Sequence, residues 1–203
     1  MNLDRPAAYL VNVVSDFAAA IALINEGKPP AMDIRSLIRK IPDYPSPGHT
    51  YYDLTALLAD GPGFHAVIDL LAERYASLGI KKFACMEWRG FVIGAALAYR
   101  LGAGFVPIRK LGKLPGDTIT REHEFGHSSE PIEMSVNVIA PGESVVLIDD
   151  MLATGAVAET AAMLIRDLGG EVAECCFIHE LASLEGRVRL EKRGLRVFTL
   201  WSD

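Results

Sequence analysis

Three times along this chain a stretch of helical periodicity closes on glycine and a short apolar run follows it. Residues 62–78 end at Gly79 and lead into the run 82–86; residues 90–101 end at Gly102 and lead into 104–108; residues 156–168 end at Gly169 and Gly170 and lead into 172–178. A fourth apolar run, 144–148, stands before the last of these helical stretches. Such runs have no polar face, so they suit a sheet covered on both sides, and a helix between successive strands is the signature of parallel crossovers. The alternation therefore predicts an α/β fold, a parallel sheet flanked by helices. A helix around 184–192 and a last strand, 196–200, complete it, and no internal repeat is present.

Other stretches depart from this rhythm. Residues 7–25 place Leu10, Val13, Val14, Phe17, Ile21 and Ile24 at helical spacing, while Asn12, Ser15 and Asp16 interrupt the apolar stretch. That pattern predicts an amphipathic helix and not a signal peptide or membrane span. Gly27, Pro29 and Pro30 then break the chain, dividing it into an N-terminal helical extension, 1–31, and a main domain, 32–203. Asp33 can cap a short helix carrying Ile34, Leu37, Ile38 and Ile41. Residues 42–52, with three prolines and Gly48, read as a shaped loop, and the long polar stretch 111–131, lacking either period, reads as a functional lid.

With 203 residues the chain fits one core of ordinary size, and its net charge of -6 argues against a nucleic-acid face. Cys85, Cys175 and Cys176 lie inside apolar runs without metal-ligand spacing, so they read as core residues of a reducing, cytoplasmic compartment.

The chemistry concentrates in Val145-Val146-Leu147-Ile148-Asp149-Asp150-Met151-Leu152-Ala153-Thr154-Gly155-Ala156. An aliphatic strand delivers two adjacent carboxylates to its C-terminal edge, and a turn of small residues opens a helix. Backbone N–H groups of the turn, the Thr154 hydroxyl and the positive end of the helix dipole suit a phosphate dianion. The carboxylates can accept hydrogen bonds from vicinal ribose hydroxyls and help hold magnesium. No Gly-Lys-Ser/Thr triplet ends the turn and no G-x-G-x-x-G spacing occurs in it, so it is neither a Walker A loop nor a dinucleotide fingerprint.

Residues 144–155 resemble the phosphoribosyl pyrophosphate (PRPP) motif of type I phosphoribosyltransferases, and the Leu-Ala-Thr-Gly ending resembles that of the adenine-using members. Further matches are Ile41-Pro42-Asp43-Tyr44-Pro45-Ser46-Pro47-Gly48, Glu87-Trp88-Arg89-Gly90-Phe91, Val106-Pro107-Ile108-Arg109-Lys110, Gly112-Lys113-Leu114-Pro115 and the segment from Glu180-Leu181 to Arg187. The resemblance implies a type I sheet with a small N-terminal hood, preceded here by the extra helix. It implies that PRPP and a purine base, adenine first, give a nucleoside monophosphate and pyrophosphate with Mg2+, in a homodimer with no nucleic-acid or membrane partner. The residues it implies are Ala153, Thr154, Gly155, Ala156 and Val157 for the 5-phosphate; Arg89, Arg109, Lys110 and Lys113 for pyrophosphate; and Tyr51, Tyr52 and Trp88 around the base. It further implies that Asp149 and Asp150 act in catalysis and toward the metal, directly or indirectly.

Departures from the family pattern cluster near the base. Tyr51-Tyr52-Asp53 stands where the family has Phe-Arg-Asp, Trp88 stands for a small residue, and Ala156-Val157 lack the second hydroxyl of the phosphate turn. Gly126 takes the place of the lid glutamate tied to proton handling, leaving Glu124, Glu122, His123 or His127 to substitute, Glu124 being the expected catalytic residue. A phosphoribosyltransferase for another or modified purine and a non-catalytic PRPP-binding regulator are the competing readings.

Overall fold

The computed structural model describes residues 34–44, 46–48, 50–122, 124–125 and 128–203, with backbone alone at 124–125 and 128–129. The helix expected over 7–25, and with it the extension 1–31, lies outside the described residues. Arg35–Asp203 forms one compact unit.

A 3-10 turn, Ile34–Leu37, stands where the short helix is expected. Strands β1 (Arg39–Pro42) and β2 (Thr50–Asp53) follow, paired antiparallel as a separate hairpin. Residues 42–52, expected as a loop, thus hold a strand at each end. Proline is tolerated there because Pro42 ends its ladder, where a missing N–H breaks no interior rung. Helices α1 (Thr55–Ala59) and α2 (Gly61–Tyr75) come next; α2 starts where the Asp60 carboxylate accepts from Gly63 N at 2.7 Å and Pro62 sits in the first turn.

The chain then runs through β3 (Lys82–Met86), α3 (Glu87–Leu101), β4 (Gly104–Lys110), β5 (Thr118–Arg121), β6 (Glu124–Phe125), β7 (Ser128–Ser129) and β8 (Ile132–Ser135). It closes with β9 (Ser144–Leu152), α4 (Ala156–Asp167), β10 (Glu171–Glu180), α5 (Gly186–Lys192) and β11 (Val197–Ser202). The large sheet has the order β11-β10-β9-β3-β4-β8-β5. Its first five strands are parallel, as the alternation predicts, and β8 and β5 extend it antiparallel. Residues 111–131 are therefore not structureless: they contribute β5 and the β6–β7 hairpin. Periodicity misses them because β5 becomes a strand by pairing with β8, a neighbour outside the expected elements.

Val145 to Ile148 in β9 and Phe83 to Cys85 in β3 are fully buried, so the sheet's centre is dry on both faces. Helix α3 lies close on this centre because Gly94 faces Cys85, where a Cβ would overlap the sulfur. All three cysteines are free and buried, and burial pushes the thiols of Cys175 and Cys176 up to about 12, as inert core residues require. Among the described residues no helix is long and apolar enough to cross a membrane.

The β1–β2 hairpin is fastened by its side chains. Tyr52 stacks on His179 with centroids 4.5 Å apart and its hydroxyl donates to Asp203 Oδ2. Arg39 pairs with Asp53 at 2.5 Å, and hydrogen bonds from Thr55 and Arg39 hold the Asp53 carboxyl down to about 2.

His179 is 5% exposed, and neither ring nitrogen has a hydrogen-bond partner among the described residues. Burial lowers its pKa; Lys40 acts the same way, while Asp203, 3.6 Å away, and Glu180 oppose. The unfolded chain thus binds the proton first as pH falls, so His179 costs stability from about pH 6.5 downward, above the range where depressed carboxylates titrate. Urea midpoints measured between about pH 7.5 and 5.5 are expected to fall on acidification, and His179→Phe is expected to flatten that fall.

Candidate functional site

Strand β9 outruns its neighbour β3: the last rung between them joins Cys85 to Ile148, while pairing with β10 continues to Leu152. Asp149 and Asp150 therefore lie within β9, not beyond its end as the apolar run alone suggests, on the part that overhangs β3. Helix α3 starts in the space β3 vacates, and Gly90 lets it approach: a Cβ there would stand 3.0 Å from Ile148 O and 3.3 Å from Asp149 Oδ1.

The two acids face different surroundings. Asp149 is half-buried and its Oδ1 accepts from Asp150 N at 2.8 Å. Asp150 is 3% exposed, with Oδ2 2.8 Å from Arg89 Nε. Asp150 Oδ2 is fully buried and, apart from this ion pair, has no hydrogen-bond partner among the described residues. Burial raises the pKa of both carboxyls; the neighbouring acid raises Asp149 further, and Arg89 works against the rise at Asp150. A buried acceptor without a donor is costly, and the Arg89 cation beside it offsets part of that cost.

After β9, Ala153, Thr154 and Gly155 form the turn into α4, with Gly155 at φ 75 and Thr154 exposed. The first N–H groups of α4, beginning with Ala156 and Val157, point out of the helix end as an anion site requires. This turn rests on Gly186, the first residue of α5. A Cβ on Gly155 would lie 2.8 Å from Gly186 O, and a Cβ on Gly186 would overlap the Ala153 carbonyl oxygen. Gly186 is thus a site residue that sequence reasoning missed; its signal is a glycine opening a helix, where a cap would be usual.

Of the four expected cations, three lie along β4 and the turn that follows. Arg109 is partly buried, its Nε has no partner among the described residues, and its guanidinium lies 5.8 Å from the Phe91 ring. Lys110 is exposed, its Nζ 2.6 Å from Glu130 Oε2 and its backbone N–H donating to Glu87 Oε1 at 2.8 Å. Lys113 is exposed on a turn held by Glu133, whose Oε1 accepts from Lys113 N and Leu114 N at 2.7 Å each. Burial pushes the Glu133 carboxyl up, but the N–H groups of 112–114 and the Thr118 hydroxyl outweigh it and hold its pKa low. Glu133 also went unread in the sequence, although an acid inside an apolar strand is its mark.

Arg89, expected with these cations, stands on α3: its Nη1 donates to the Tyr51 hydroxyl oxygen and it forms an ion pair with Asp150. Tyr51 is half-buried, with Tyr44 edge-on at 5.3 Å. Tyr52, expected beside it at the base, points to the opposite face of β2 as strand alternation requires, onto His179. Trp88 is 58% exposed at the start of α3, following Glu87 at φ 44. Glu124 lies in β6 by its backbone and its side chain lies outside the described residues, as do His123, Gly126 and His127; Glu122 is described and exposed. No group of three or more metal-ligating side chains occurs among the described residues, so an ion held by Asp149 and Asp150 would draw its other oxygens from a ligand.

The Phosphoribosyl transferase domain family matches residues 53–200. The adenine phosphoribosyltransferase of Nitrosospira multiformis is 50% identical over 169 residues, covering 83% of this chain and 97% of that protein. The crystal structure of the adenine phosphoribosyltransferase of Thermoanaerobacter pseudethanolicus superposes with a TM-score of 0.80 at 39% identity, covering 84% of this chain and 98% of the other. That of Saccharomyces cerevisiae, complexed with adenine and an imino-altritol bisphosphate, gives 0.78 at 34% identity, covering 83% and 96%.

Gly186→Ala is expected to displace the 153–155 turn while leaving the sheet folded. Its affinity for ribose 5-phosphate, measured by titration calorimetry, should fall about tenfold or more, the value of one or two hydrogen bonds to a charged group.

Proposed function

The chain belongs to the phosphoribosyltransferase family, in its adenine branch, and from that premise we propose that it moves the 5-phosphoribosyl group of PRPP onto adenine, giving AMP and pyrophosphate in purine salvage. The observation that carries this reading is the overhang of β9. It sets two carboxylates, one of them paired with Arg89, directly before a small-residue turn at a helix N-terminus.

The division of labour follows from the chemistry of each part. The turn Ala153 to Val157 takes the 5-phosphate, Asp149 and Asp150 grip the ribose hydroxyls, and Arg109, Lys110 and Lys113 face the diphosphate. The bond from the anomeric carbon to pyrophosphate breaks with its electron pair on the leaving oxygen, a purine ring nitrogen bonds to that carbon, and the nitrogen's proton passes to a base. Glu124 is the first candidate for that base, ahead of Glu122, His123 and His127. Charge builds positive on the ribose and negative on the leaving group, so buried carboxylates beside the sugar and cations beside the diphosphate both favour the transition state. The β5–β8 region and its β6–β7 hairpin supply a cover that keeps water from competing.

Magnesium suits the acid pair, which presents hard oxygens. When bound there, directly or through water, it would offset charge on the diphosphate. Tyr51 offers its ring to the base, and Trp88 borders the same end. The free, buried cysteines suit the cytoplasm. A homodimer is supported by large apolar side chains left exposed on α3 and β4, among them Trp88, Val92 and Phe105.

A panel of free purines assayed with PRPP and magnesium is expected to show adenine as the preferred acceptor. Asp149→Asn combined with Asp150→Asn should keep the fold, by circular dichroism, and lose most turnover; full activity in that folded variant contradicts the assignment. Lys113→Ala is expected to weaken PRPP and pyrophosphate several-fold more than adenine, and calorimetry giving the opposite order removes Lys113 from the diphosphate site.

A further inference from the structure

Helix α5 has seven residues, of which Gly186 and Leu190 are buried. A helix that short does not hold itself, yet its first residue shapes the 153–155 turn, since a Cβ on Gly186 would overlap the Ala153 carbonyl oxygen. Its placement therefore depends on side chains, and three arginines supply them. Arg187 reaches the sheet, its Nη2 donating to Glu180 Oε2 at 2.6 Å and its Nη1 to Val197 O at 3.0 Å. Arg189 and Arg193, four residues apart and so on one face, both reach α4.

Their common partner is Glu159, in the first turn of α4 and 5% exposed. Its Oε2 lies 2.5 Å from Arg189 Nε and its Oε1 2.5 Å from Arg193 Nε, one oxygen for each cation. Burial pushes the carboxyl up, but the two arginines outweigh it and hold its pKa low. The backbone of the same residue is tied to the turn, its N–H donating to Gly155 O at 2.9 Å. Glu159 thus joins the turn, through its main chain, to the helix that supports it, through its carboxylate. By charge alone it is misplaced: Thr154, Glu159, Arg189, Lys192 and Arg193 line one groove, where an acid opposes a dianion at the turn.

We propose that Glu159 is a positioning residue for the 5-phosphate: through Arg189 and Arg193 it clamps α5 to α4, so that Gly186 seats against Gly155 and the turn keeps the shape a phosphate dianion fits. The proposal rests on the reading that residues 153–157 take the 5-phosphate. Two effects of the acid oppose each other, because its charge repels the phosphate while its clamp builds the site. The paired arginines offset the first and transmit the second.

The sign of a substitution separates the two effects. Affinity for ribose 5-phosphate is measured by titration calorimetry at about 50 and about 500 mM salt, in the unaltered chain and in Glu159→Gln, Arg189→Gln and their double variant. A clamp predicts that both single variants weaken binding at both salt concentrations, each about fivefold, the value of one hydrogen bond displaced from the phosphate. In the double variant the loss should be no greater than in the worse single one, because the two residues act as a unit. KM for PRPP should rise in step, while KM for adenine changes less than about twofold. If Glu159 acts only by its charge, Glu159→Gln strengthens binding at low salt while Arg189→Gln weakens it; opposite signs overturn the proposal, as do unchanged affinities or an equal rise in both KM values. Thermal midpoints are the folding control. Should Glu159→Gln melt early, Arg189→Gln combined with Arg193→Gln decides, since both side chains are largely exposed: an unchanged affinity at the higher salt, where charge is screened, overturns the clamp. Absence of ribose 5-phosphate binding in the unaltered chain removes the assignment of the turn, and the proposal with it, a failure visible before any substitution is made.

Discussion

Two carboxylates are kept at the end of a buried strand, where water is scarce, and the Arg89 guanidinium pairs with Asp150. Taking a charge out of water costs several kcal/mol unless partners return it, about 3–5 kcal/mol being typical when one member of a buried pair is removed. Around Asp149 and Asp150 that return comes from close neighbours: Asp149 Oδ1 accepts from a backbone N–H, and Asp150 Oδ2 lies against a cation. The rest of the architecture serves this arrangement. Strand β9 must outrun β3 to expose the acids, Gly90 must lack a Cβ for α3 to enter the gap, and Arg89 must then fall on Asp150.

The phosphate turn obeys the same economy of close contact. Gly155 and Gly186 meet backbone to backbone, so the turn that begins α4 is shaped by the start of α5, thirty residues onward and across the loop after β10. The diphosphate side is built differently. There a single buried glutamate, Glu133, gathers the N–H groups of the 112–114 turn and presents Lys113 outward. The 153–155 turn thus depends on what is missing, a pair of Cβ atoms, and the 112–114 turn on a charge placed behind it.

Departures from the family pattern gain meaning once the faces of β2 are known. Tyr52, standing where an arginine is usual, serves the hairpin's anchorage through His179 and Asp203, while Tyr51 adds a hydroxyl that meets Arg89. Both changes act on how the hairpin is held, Tyr52 away from the acids and Tyr51 through the guanidinium that pairs with Asp150.

Much of this was legible in the chain itself, because its signals are local. Helices closing on Gly79, Gly102 and Gly169, and aliphatic runs such as Val145 to Ile148, dictate a parallel α/β sheet through burial and backbone sterics alone, and twin acids before a small-residue turn mark its site. Other features were decided only by tertiary structure. Strands β5 and β8 form because each completes the other's ladder, Gly186 matters because a distant turn lies on it, and Arg89 meets Asp150 and Tyr51 because α3 enters beside β9. The reason is common to all three: period and composition report which face of a segment is buried, whereas a hydrogen bond or a close approach between segments depends on where the partner backbone runs, which no single stretch of sequence contains.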